Sequence, residues 1–137
     1  MTLSTDVNVR RLMIAALLIL APGVARTAAA NVLEANAAKA LITDRTWQQQ
    51  QAHGPGKLYW TWKSDGSACL RIDDGQGKCT DTGKWKLEGN RMCYELTWWG
   101  ATVGRKSACF RITDKGKNQF EAVQDNGLPL FEFSVPQ

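Results

Sequence analysis

From Trp47 to the C-terminus the chain is cut into short apolar and aromatic runs by turn residues, at intervals of about 8 to 12 positions. That cadence belongs to an antiparallel β-meander. The intervening residues carry turn chemistry: Gly54-Pro55-Gly56, Asp65-Gly66, Asp74-Gly75, Gly89-Asn90, Gly100, Lys115-Gly116 and Asn126-Gly127. The pattern predicts strands over residues 46–50, 57–63, 68–72, 78–87, 91–99, 105–113, 118–124 and 130–135. So many short strands must either close on themselves or pack as two sheets, because an open meander leaves unpaired edges. The expected fold is all-β: a small antiparallel meander closing as a lipocalin-like barrel of about eight strands, with a short N-terminal helix and with a sandwich as second choice.

The hairpins fix a face. A two-residue turn at Gly89-Asn90 sets Leu87 opposite Met92, Trp85 opposite Tyr94 and Gly83 opposite Leu96. Pairing centred on Ala101 then brings Phe110 opposite Met92 and Ala108 opposite Tyr94, with Ile112 and Trp98 extending the same apolar surface. Glu95, Thr97, Arg105 and Arg111 fall on the other side.

Cysteine positions test this register independently. Directly opposed hairpin residues have a constant sum of positions, and Cys93 with Cys109 centres on Ala101, while Cys69 with Cys79 centres on Asp74. Both centres lie in predicted turns, so Cys69–Cys79 and Cys93–Cys109 are the expected disulfides. Strict alternation conflicts with the first pair, and a bulge near Gly83 would reconcile it. Spacings of ten, fourteen and sixteen lack the close pairs of a four-thiolate zinc site.

Residues 1–30 read as a secretory signal peptide: Arg10-Arg11, an apolar run from Leu12 to Ala21, Pro22-Gly23, and small residues ending at Ala30. The apolar run is about half the ~20 residues that a membrane-spanning helix requires, so no permanent membrane span is expected. Cleavage near Ala30 makes the mature protein periplasmic or secreted. Residues 31–45 form a leader or short helix, with Leu33, Ala37, Ala40 and Leu41 at helical spacing, and residues 46–137 form the barrel domain. Removing Arg10, Arg11, Arg26 and Asp6 leaves 14 basic against 12 acidic residues, which gives no basic face for a nucleic acid.

No catalytic constellation emerges. His53 stands alone in a polar loop, while Asp73-Asp74 and Asp81 read as turn carboxylates before acid pairs or calcium ligands. No cofactor motif is present. The tryptophans are the distinctive chemistry. Trp60 and Trp62 share a face with Leu58 and either fill the barrel or wall an apolar pocket. With Trp98 in the core, strand alternation puts Trp99 outside near Thr97 and Arg105, where it would either pack at an edge under a loop or stack on a sugar or anchor a protein.

The stretch from Lys84-Trp85-Lys86-Leu87-Glu88-Gly89-Asn90 through Met92-Cys93-Tyr94, Thr97-Trp98 and Cys109-Phe110 to the Phe120–Phe133 run, with the early Thr46-Trp47, resembles the domain of unknown function 995 family. That resemblance implies a small exported bacterial protein and no particular activity, and it leaves Cys69 and Cys79 unexplained. A weaker likeness, in Gly83 through Cys93, is to periplasmic metalloprotease-inhibitor barrels, which act by inserting an N-terminal segment into the protease. Residues 31–44 would take that role here, although a helical leader fits it badly and the cysteine arrangement differs.

These readings converge on a non-enzymatic periplasmic or secreted binding protein. Its candidate contacts are Trp60, Trp62, Trp99 and Arg105, and its candidate ligands are an apolar or sugar molecule or an extracytoplasmic protein. The alternative is an inhibitor of an extracytoplasmic protease or cell-wall hydrolase.

Overall fold

The computed structural model describes residues 31–50, 56–72 and 75–137; the expected signal peptide, His53 and Asp73-Asp74 lie outside them. In chain order the elements are β1 (Asn31–Val32), α1 (Ala35–Ile42), β2 (Thr46–Gln49), β3 (Leu58–Trp62), β4 (Ser67–Ile72), β5 (Asp81–Glu88), β6 (Arg91–Leu96), a 3-10 turn (Ala101–Val103), β7 (Ser107–Gly116), β8 (Gln119–Val123) and β9 (Pro129–Ser134). Each strand from β2 to β9 pairs antiparallel with the next, and β9 returns to β2 through Gln48↔Ser134 and Gln49↔Phe133. The result is a closed eight-stranded barrel with one short helix, so no barrel edge is left to pair with another chain.

The predicted central registers are present: Trp85 faces Tyr94, Leu87 faces Met92, and Cys93 faces Cys109. The two-residue turn explains why. Gly89 takes a φ of 59°, which frees the Gly89-Asn90 link to turn without widening the pair.

Two features near the N-terminus cover what the barrel alone would expose. β1 pairs Asn31 with Asp114 and Val32 with Thr113, occupying the part of β7 that lies beyond its pairing with β6. α1 buries Ala38 and Ile42 in the main core cluster. Just after it, the Asp44 N–H donates to the Trp62 carbonyl at 2.7 Å, which seats the helix at the end of the barrel where β3 finishes.

Three expectations are corrected. β5 begins at Asp81 rather than at residue 78, so Cys79 lies in the preceding loop and the barrel register sets Cys69 opposite Thr82. The disulfide forms nonetheless, with a Cα–Cα distance of 5.4 Å. The loop folds back, and the Thr80 N–H donates to the Leu70 carbonyl at 2.7 Å. With Cys79 released from strand alternation, no bulge near Gly83 is required, and the β4–β5 register runs through Gly83 without a shift. Finally, β6 stops at Leu96, so the alternation that placed Trp98 in the core does not reach it.

Candidate functional site

The interior is packed with rings. Trp60 is 2% and Trp62 0% exposed, and both contact Tyr94, at centroid distances of 5.2 Å and 6.0 Å. Trp47 stacks on Trp60 at 5.5 Å and on Phe131 at 5.9 Å, while Trp62 stacks on Trp85 at 5.3 Å. Phe110 and Phe133 are fully buried beside them. Of the two readings that the sequence left open for Trp60 and Trp62, barrel filling is the one these contacts support: neighbouring rings occupy the space that an apolar pocket would need. Trp60 donates its indole N–H to Gln49 Oε1 at 2.8 Å, and Trp85 donates to the Lys63 carbonyl at 2.7 Å. The indole N–H groups of Trp47 and Trp62 are buried without a partner among the described residues.

Binding chemistry is instead offered outside the barrel. Trp98 is 53% exposed, so its expected place in the core is corrected, whereas Trp99 is half-buried against the core, the packed one of its two expected readings. Asp81 is the cause. This residue, at the start of β5, is only 4% exposed. It accepts the backbone N–H groups of Trp98 at 3.0 Å, Trp99 at 2.8 Å and Thr82 at 2.7 Å. Burial opposes the charge, but these backbone donors and the Thr97 side chain outweigh it and hold the carboxyl below its ordinary value. The chain leaving β6 is thus turned by a buried anion, Trp99 folds back, and Trp98 projects. The two rings meet edge-on at 5.5 Å.

Next to Trp98 in sequence, Thr97 lines a depression of about 360 Å³ with Lys84, Glu95 and Lys106. Its neighbour on the outer face of β4 to β7 is larger, about 800 Å³, and is lined among others by Asp65, Lys84, Lys86, Glu88, Glu95 and Ser107. The two adjoin, with Gly83, Lys84 and Glu95 in both linings, and together are called the trough. The Cys93–Cys109 bridge lies in its wall. Glu88 approaches both sulfurs, but they are joined to each other, so this trio supplies no thiolate for a metal. Lys86 pairs with Glu88 at 2.5 Å and holds that carboxyl below its usual range.

Arg105 is exposed and stands elsewhere, in a depression of about 400 Å³ with Gln49, Leu130 and Phe131. Its guanidinium donates to the Leu130 carbonyl at 3.1 Å. Arg105 is linked to Trp60 through Tyr94, whose ring contacts Trp60 and whose hydroxyl donates to the Arg105 carbonyl, but the structure does not gather Trp60, Trp62, Trp99 and Arg105 into one site. Sequence reasoning missed the anchoring role of Asp81 and the trough; the outward positions of Lys84, Lys86, Glu88 and Glu95 were available from alternation.

A family model described as protein of unknown function (DUF995) matches residues 11–128. The chain belongs to the DUF995 family. No curated protein and no solved structure matches it. The DUF995 match spans α1 through β8 and so takes in Asp81, Trp98 and the whole trough.

Proposed function

We propose that this DUF995 protein is a non-enzymatic binding protein acting outside the cytoplasm, and that it meets its ligand on the outside of the barrel. The observation that carries this reading is Trp98: a large aromatic side chain left in solvent while its backbone is bonded to a buried carboxylate. An exposed ring on a fixed backbone loses little freedom when it is covered, which is what a binding contact requires. The packed interior supports the same choice of surface.

Two disulfides are compatible with an oxidising compartment, in keeping with the signal pattern of residues 1–30. A non-enzymatic role is supported by how the perturbed groups are used. Asp81 is held by backbone donors, Glu88 is paired with Lys86, and one oxygen of Asp65 accepts the N–H and hydroxyl of Ser67 at 2.8 Å and 2.6 Å. Tyr94 donates its phenol to the Arg105 carbonyl.

The test is thermal unfolding of the exported protein against soluble envelope polymers and proteins, with Trp98→Ala in parallel. A ligand that binds the native state raises Tm with its concentration. The expected result is a rise that Trp98→Ala abolishes. A rise insensitive to Trp98 would place binding elsewhere, and chemical turnover of the ligand would end the non-enzymatic reading.

A further inference from the structure

We propose, resting on the outer-surface reading above, that the ligand is an uncharged glycan chain lying in the trough, with Trp98 stacked on the apolar face of a sugar ring at its end. Three observations carry this.

The trough is charge-balanced. Lys84, Lys86 and Lys106 line it against Asp65, Glu88 and Glu95. Lys84 and Glu95 are direct partners across β5 and β6. Equal numbers of opposite charges create no net field to select a polyanion or polycation. They do supply both strong donors and strong acceptors, which suits hydroxyl groups that are each donor and acceptor.

The two depressions adjoin. They share Gly83, Lys84 and Glu95 in their linings, and the larger has a volume within the roughly 300–1,000 Å³ typical of ligand sites. A run of that kind along a sheet surface accommodates a chain passing through.

The aromatic contact is single. A protein partner of ordinary affinity would want an apolar centre to its patch, with charge confined to the rim. Here one exposed indole, Trp98, follows Thr97, and Thr97 lines the smaller depression with Lys106, Glu95 and Lys84, so a ring at that end can cover a sugar face while nearby polar groups take its hydroxyls.

Affinity electrophoresis tests this with the exported protein in gels containing hydroxyethylcellulose, soluble starch or glycol chitin, all neutral. Retardation is expected in at least one, weakened roughly tenfold or more by Trp98→Ala, partly restored by Trp98→Tyr, and unchanged by Lys39→Ala on α1. Circular dichroism confirms that each variant is folded. No retardation in any gel overturns the glycan assignment, while the outer-surface reading is then judged by the thermal test. Retardation untouched by Trp98→Ala overturns both. Stronger, salt-sensitive retardation in carboxymethylcellulose overturns the neutrality of the ligand.

Discussion

The carboxylate of Asp81 accepts the backbone N–H of Trp98 at 3.0 Å, so a residue at the start of β5 decides how the β6–β7 connection leaves the barrel. One buried anion thereby exposes one tryptophan and tucks the next against the core.

Replacing Asp81 by Asn removes the charge and turns an amide donor toward backbone donors. At pH 7 the expected cost is about 1.5–3 kcal/mol in urea unfolding, the range for hydrogen bonds to a charged group. Because the folded carboxyl sits below its unfolded value of 3.8, its stabilisation is complete above that pH and is lost as pH falls through the depressed value. The gap between natural chain and variant should therefore narrow in acid. An identical gap at pH 7 and in strong acid would remove the ionised carboxylate from the account.

Gly83 faces Leu96 across β5 and β6. A Cβ built there falls on the Glu95 carbonyl oxygen and 2.9 Å from Leu96 Cα. Both obstacles are backbone, so Gly83→Ala must pry two paired strands apart, at a cost of about 3 kcal/mol or more. Gly83 also lines both halves of the trough, so the variant should lose ligand binding along with stability. A loss below about 1 kcal/mol would show that the strands separate freely at this point.

The central hairpins were legible in the sequence because a two-residue turn reduces register to arithmetic: once Gly89-Asn90 is the turn, Trp85 must meet Tyr94. β1 was not legible, since two residues that pair with Thr113 and Asp114 carry no periodicity of their own. The exposure of Trp98 was hidden for a different reason. Alternation holds only while a strand lasts, and beyond the end of β6 at Leu96 a carboxylate distant in sequence captures the N–H groups of Trp98 and Trp99. Outward Lys84 and Glu95 could be read from alternation, but the trough they line depends on sheet curvature and on the close approach at Gly83.

Burial pushes the Tyr94 phenol up to about 12, with the Arg105 charge opposing it. The raised value means that Tyr94 favours the fold fully below pH of about 10, the ordinary tyrosine range, and that this contribution disappears as pH rises through about 12. Tyr94→Phe also loses the bond to the Arg105 carbonyl at 3.0 Å, a cost of about 1 kcal/mol at neutral pH. Stability measured from pH 9 to 12 should fall less steeply in the variant. Parallel decline in both proteins would assign the alkaline transition to another group.

The two disulfides should differ in where their loss is felt. Their separations of 10 and 16 residues give nearly equal chain-entropy contributions of about 3 kcal/mol each, so paired Cys→Ala variants should have similar midpoints in urea. Their native surroundings are unlike. Cys93 and Cys109 face each other in a ladder that Met92↔Phe110 and Tyr94↔Ala108 already hold, whereas Cys79 lies in a loop outside any strand, tethered to Cys69 on β4. Hydrogen exchange on the Cys69→Ala/Cys79→Ala variant should therefore show lost protection at Thr80, whose N–H is bonded to Leu70, well beyond the global change. The Cys93→Ala/Cys109→Ala variant should lose protection evenly across β6 and β7. Uniform exchange in the first variant would mean that the loop is held by its own hydrogen bonds rather than by the bridge.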